Sequence, residues 1–226
     1  MIRFILPAFL LLLCTCVRAQ STLSAETIDY LYEVSREVDP KRYSDVRGTP
    51  YRYDEFGPVE VYDITLNKYL LDSANLNGFT SQFEYYVDGN LRELQPNTFI
   101  RAEVPQEDGT HKYARGINAK FRNHYAQIIY KGDNIIATMV YDVKNDEKVV
   151  QDVGKTIRLR RFSAKSLHFA MIDGEMEPIT LSPKKIATDL GNKKKLLAFI
   201  KGEKLKPGKP GDLIRIYEKA DSLFEY

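Results

Sequence analysis

The sequence predicts an α+β fold, an antiparallel β-sheet of half-barrel or sandwich-like form with an N-terminal helix and two to three C-terminal helices. Three observations predict it. Asp-Gly dipeptides recur between segments of strand-forming residues from 82 to 181, a helical period precedes residue 40, and a second helical period follows residue 182.

The chain opens "MIRFILPAFLLLLCTCVRAQ", a basic Arg3, an apolar run from Phe4 to Leu13, and small residues Val17 and Ala19 before Gln20. This is the order of a secretory signal, so residues 1–19 are expected to be cleaved and the protein exported to the periplasm, the outer membrane or the medium. The run is too short to serve as a membrane anchor, so the mature chain is expected to carry no transmembrane segment. Leu13 and Thr15 precede the two cysteines where a lipoprotein signal needs a small residue. Cys14 and Cys16 fall inside the signal and leave the mature chain without a cysteine. An exported chain of that kind is held by its core alone.

Residues 20–47 form a helical lead-in. In "SAETIDYLYEVSREV" (24–38), Ile28, Leu31, Tyr32 and Ser35 share a helical stripe, Ser24 is placed to cap, and Asp39-Pro40 stops the run. Residues 48–181 form the β body. It begins with "RGTPYRYDEFGPVEVYDI", where Gly-Thr-Pro and Gly-Pro exclude helix. Asp88-Gly89 joins "SQFEYYV" to "NLREL", Asp108-Gly109 stands between "TFIRAEV" and "HKYARGINAKF", and Asp173-Gly174 joins "LHFAMI" to "EMEPITL". Asp-Gly supplies the positive φ angles of tight hairpins. Gly132-Asp133 makes a fourth turn before "NIIATMVYDV", in which Ile135, Ala137, Met139, Tyr141 and Val143 line one face and Thr138 and Asp142 the other.

Residues 182–226 form a basic helical cap expected to pack on the body. Ser182 caps and Pro183 opens a first helix, Asn192 caps a second from Lys193 to Gly202, and Asp212 caps a third. On the third helix Leu213, Ile216, Tyr217, Ala220, Leu223 and Phe224 fall on one stripe.

The segments "GTPYRYDEF" (48–56), "LNGFTSQFEYYVDG" (76–89) and "KKLLAFIKGEKLKPGKPGDLIRIYE" (194–218) resemble an uncharacterised family of secreted proteins common in Bacteroidetes. In that family a Gly-Ser-Pro-Tyr opening, a Leu-Arg-Tyr-Asn segment and a lysine-rich helix pair ending in Asp-Leu-Ile recur. The resemblance covers about residues 48–226 and implies export, a β-rich body and a helical tail, with no activity attached. Where the family has Arg-Tyr-Asn, this chain has Asn77-Gly78-Phe79, so a role tied to that triplet does not carry over.

Charge excludes one class. Removing residues 1–19 takes Arg3 and Arg18 and no acid, so 33 basic residues fall to 31 against 31 acidic ones, a balance that argues against nucleic-acid binding. Residues 182–226 hold 11 Lys or Arg against 6 Asp or Glu, and the body an equal excess of acid, so the two regions are expected to attract each other.

Catalytic chemistry leaves no trace. "VGKTIRL" ends like a phosphate-binding loop, but Val149 stands where the first glycine belongs, and the segment reads as a strand start. His111, His124 and His168 lack metal-site spacing, no Gly-x-Ser-x-Gly elbow occurs, and the acidic turns lack the ladder that wraps calcium. No catalytic residue, metal or cofactor is therefore expected. The 15 Tyr and 11 Phe, with no Trp, read as core and cross-strand packing. Lys193, Lys194 and Lys195, at the start of a helix, form a binding patch for an anionic envelope component or an acidic protein face. The reading is an exported, non-enzymatic protein that binds an envelope partner through a sheet edge or this basic cap. Its alternative is a small lipophilic ligand within the curled sheet, motivated by the apolar face from Ile135 to Val143, with a hydrolase third.

Overall fold

The computed structural model describes residues 25–152 and 154–224. The expected signal at 1–19, both cysteines and the capping Ser24 lie outside the described residues.

Helix α1 (Ala25–Glu33) begins where expected and stops earlier, because Ser35–Glu37 becomes strand β1. Ser35 Oγ donates to Leu31 O and accepts from Arg92 Nε at 2.7 Å, so its hydroxyl is committed to the sheet side of the junction. β2 (Val46–Arg47) follows, then β3 (Gly57–Asp63), β4 (Lys68–Asn77), β5 (Gln82–Val87), β6 (Asn90–Leu94), β7 (Phe99–Gln106), β8 (Gly109–Ala114), β9 (Ala126–Lys131), β10 (Ile135–Asp152), β11 (Lys155–Ile172) and β12 (Glu175–Ile179). A 3₁₀ turn (Ala119–Phe121) lies before β9 where the sequence pattern continues the strand of "HKYARGINAKF". The described strands form one open, mostly antiparallel sheet in the order β1-β6-β5-β4-β3-β7-β8-β9-β10-β11-β12, with β2 parallel to β11. The segment expected as a helical lead-in thus contributes two strands.

Asp88-Gly89 and Asp173-Gly174 have both residues at positive φ, as two-residue hairpins require. At the third turn the geometry differs. Gln106 pairs directly with Gly109, so Glu107-Asp108 make the turn and Gly109 begins β8.

The sheet curls until β4 and β10, separated by β3, β7, β8 and β9, touch: Val143 N donates to Gly78 O. Gly78 is required there, since a Cβ would overlap Tyr141 and Val143. On the concave face Phe83 of β5 meets Tyr113 of β8 and Tyr125 edge-on, closing a core with Val59, Val61, Leu76, Phe99 and Val104. Helices α2 (Pro183–Asp189), α3 (Lys193–Gly202) and α4 (Pro210–Asp221) cover the same face of β9–β12. There Ile135, Ala137 and Ala170 pack against Ile186, Leu196, Ile200, Leu213, Ile216 and Tyr217.

The bounds of α2 and α3 match the sequence pattern, α4 begins at Pro210 instead of after Asp212, and the caps differ throughout. Ser182 and Asn192 stand at N-cap positions without a side-chain cap bond; Asn192 Nδ2 instead donates to Leu223 O at 3.4 Å. Asp212 lies inside the first turn of α4 and accepts from Lys206 N at 2.9 Å. The expected attraction of cap and body does not run through ion pairs, because none among the described residues joins them. What joins them is apolar packing plus two carboxylates: Asp189 accepts from Thr180 N at 3.0 Å, and Asp221 accepts from Tyr130 Oη at 3.2 Å and from the amides of Asp133, Asn134 and Ile135 at 3.1, 2.8 and 2.8 Å.

Candidate binding surfaces

Lys193, Lys194 and Lys195 occupy the first turn of α3 and are all exposed, as the sequence pattern places them. Cations there face the positive end of the helix dipole, a local cost of about 0.3–1 kcal/mol each. Their side chains show no hydrogen bond or ion pair among the described residues, and the apolar neighbours Leu196 and Ile200 hold the helix from its other side.

A more unusual surface comes from β10 and β11. The strands run 18 residues each and stay paired in register from Ile135↔Ile172 to Asp152↔Lys155. Their root is fully flanked. β9 pairs with β10 as far as Val140, and β12 pairs with β11 from His168 to Ile172. Beyond Val143 the described residues supply no strand beside β10, and β11 meets only Val46–Arg47 at Arg160–Arg161, where Asp45 and Arg160 pair at 2.7 Å. Nine residues of β10, from 144 to 152, therefore project beyond β9 with β11, about 30 Å at strand rise, and the last five, 148 to 152, run on past β2 as a two-stranded arm about 17 Å long. Its tip carries apolar surface, with Val149 56 %, Ile157 42 % and Leu159 37 % exposed. Residues 155–165 of β11 hold five Lys or Arg and no acid, whereas residues 142–152 of β10 hold four acids and two lysines.

No family model matches this chain, and no curated protein or solved structure matches it. Geometry and charge alone must carry the functional reading.

The histidines separate. His124 packs edge-on against Phe121, and burial lowers its pKa. His111 sits in a hydrogen-bonded chain: its Nε2 lies 3.2 Å from Asp108 Oδ1, its Nδ1 3.0 Å from Tyr53 Oη, and Tyr53 Oη 2.6 Å from Tyr113 Oη. Burial, followed by the Tyr113 hydroxyl, pushes the Tyr53 phenol far above its ordinary value, so Tyr53 stays neutral and the chain positions hydroxyls instead of making a nucleophile. A second polar cluster is closed in the same way. The fully buried Glu84 accepts from Arg42 Nη2, from Asn77 Nδ2 and from Tyr51 Oη at 2.9 Å. Burial raises its pKa against the opposing pull of Arg42, and its oxygens are saturated by the fold.

The strand expected to end at Val143 continues to Asp152 as one side of the arm. A signal was present: Val149-Val150 and Ile157 with Leu159 stand about symmetrically around Val153-Gly154, as two halves of one hairpin should.

Proposed function

We propose that this chain is an exported, non-enzymatic envelope or secreted protein that works by binding a protein partner, and that the β10–β11 arm is the contacting element. The single observation that supports this reading is the length of the arm beyond its sheet neighbours. An isolated two-stranded ribbon is marginally stable in water, and its open edges are templates for another strand. Ile157 and Leu159 on one face of the ribbon and Val149 on the other give such a partner apolar area to cover. The cations of β11 repel a second copy of the same edge and favour a strand rich in Asp and Glu.

The lipophilic-ligand alternative draws less support. Ile135 and Ala137 lie beneath the helical cap and Val143 packs with Val46 and Phe162, so the apolar face that motivated it is already covered at both ends.

The test uses residues 20–226 with a C-terminal tag, crosslinked in the envelope of the cells that make it. In one variant Asn-Gly replaces residues 148–159, joining Glu147 to its register partner Arg160 and keeping the Asp45 contact. In another, Lys193, Lys194 and Lys195 become Glu. A specific partner recovered with the wild type and the lysine variant, and lost with the shortened arm, is the expected result. Recovery that survives arm shortening, or no partner with any form, overturns the proposal.

A further inference from the structure

The concave face is packed in two halves, and a cleft lies between them. Tyr113, Gln127, Met139 and His168 form one cross-strand row through β8, β9, β10 and β11, so their side chains share that face. The row runs beyond the aromatic core of β3–β8 and short of the helical cap, and the space above it is a cavity of about 590 Å³. Arg52 and His111 line it on one side and Pro207, Pro210, Leu213 and Ile214 on the other, with Ile129 contributing apolar wall. A wider mouth adjoins it, sharing Arg52, Asp108 and His111 and adding Asp54, Glu55 and Glu107.

Arg52, Gln127 and His168 line this space, and three of their buried polar atoms have no partner in the fold. They are Arg52 Nε, Gln127 Oε1 and His168 Nδ1, all buried, and Gln127 is only 7 % exposed. An unmade buried hydrogen bond costs about 1–3 kcal/mol, and although other buried atoms such as Thr138 Oγ1 and Tyr217 Oη are also unpartnered, these three belong to residues that line one cavity. The Arg52 guanidinium is fixed in place, lying over the rings of Tyr53 and Tyr141 at 5.6 and 5.5 Å from their centroids. It presents a planar fork suited to a carboxylate. Burial, and secondarily Arg52, lower the pKa of His168, so the imidazole is neutral and able to accept or donate one hydrogen bond. Charge is confined to one end of the cleft: Arg52 stands where it meets the mouth, with Asp54, Glu55, Glu107 and Asp108 around that mouth, and Gln127 and His168 leave the inner end uncharged. A simple anion meets repulsion at the mouth and a simple cation meets Arg52 at the junction.

We infer that the cleft is a binding site for a zwitterionic, apolar amino acid or short peptide, its carboxylate at Arg52, its ammonium toward the acidic mouth and its side chains against Ile129, Met139, Leu213 and Ile214. The inference stands apart from the arm.

Titration calorimetry of residues 20–226 with L-leucyl-L-leucine tests it, alongside N-acetyl-leucyl-leucine and leucyl-leucinamide, each lacking one charge. The dipeptide binds saturably, with a dissociation constant of about 1 mM or tighter, and each capped form binds at least about tenfold weaker. Arg52→Gln weakens binding about tenfold or more. Ile214→Trp, a change at a partly exposed rim position, blocks the cleft without touching the core and abolishes binding, which keeps the test valid where Arg52→Gln unfolds the protein. No saturable binding at about 10 mM, equal binding of both capped forms, or unchanged binding to a folded Arg52→Gln or Ile214→Trp variant overturns the inference.

Discussion

At the scale of single residues the fold depends on carboxylates that complete backbone geometry. Asp221, at the end of α4, stands where the helix dipole disfavours an acid, yet it accepts three successive amides of the β9–β10 turn. Gly132 makes room for it: a Cβ there would overlap Asp221 and the Tyr130 hydroxyl, so this glycine serves close approach, with no positive φ. Asp221→Ala leaves those amides unpaired and is expected to cost about 2–4 kcal/mol, read as a lower urea midpoint with an unchanged slope. An effect under about 0.5 kcal/mol would show that apolar packing alone holds the cap. Asp63 does similar service in the β3–β4 turn, where its Oδ1 accepts from Thr65 N, Thr65 Oγ1 and Asn67 N at 2.8, 2.8 and 2.9 Å. Burial raises its pKa, and these bonds outweigh burial, so the net shift is downward. The unfolded chain therefore binds the Asp63 proton more readily than the folded one. The stability it contributes is complete above the ordinary carboxylate range and is lost as pH falls through that range toward the lowered folded value. Asp63→Asn should cost about 1 kcal/mol at pH 7 and flatten the acid limb of a stability-against-pH curve; an identical acid limb in both proteins would contradict this.

The elements show what the sequence makes legible and what it hides. Asp88-Gly89 and Asp173-Gly174 announce their hairpins because two adjacent positive φ angles are a local demand that few dipeptides meet. Helices α2, α3 and α4 are readable from Pro183, Gly202 and the Leu213 to Ala220 stripe, since capping and amphipathicity are also local. Hidden are choices made by distant partners. Ser35–Glu37 leaves the helix because Arg92–Leu94 offers it a strand to pair with, and nothing within residues 24–38 encodes that offer. Thr138, on the opposite face of its strand from Ile135 to Val143, is also fully buried, because Ile117 and Phe121 pack with Val140 and Phe169 on that same side. The arm falls between these cases. Its alternating residues and turn are present in sequence, but its freedom from neighbours is a property of where β9 and β12 end. As for the sites, Lys193, Lys194 and Lys195 were found by their adjacency, whereas Arg52, Gln127 and His168 come from segments as far as 116 positions apart and share a cleft only through sheet register.

For the whole molecule, one curled sheet supports two different kinds of surface. Its concave face is divided between an aromatic core and a helical cap, leaving a polar cleft where the two packed regions stop. Its longest hairpin continues past the sheet as an arm with exposed apolar residues and a basic strand. The cap's excess of lysine is solvated, and it adheres through Ile186, Leu213, Ile216 and Asp221. Among the described residues no helix is long and apolar enough to cross a membrane. The proposed contact with a neighbouring protein rests on the arm. Site-specific photocrosslinking in the producing cells tests that claim most directly, with a photoreactive residue placed at Val149, at Ile157 or at Lys194. The account predicts one discrete adduct from both arm positions and none from Lys194. An adduct from Lys194 alone, or none from either arm position, would contradict it.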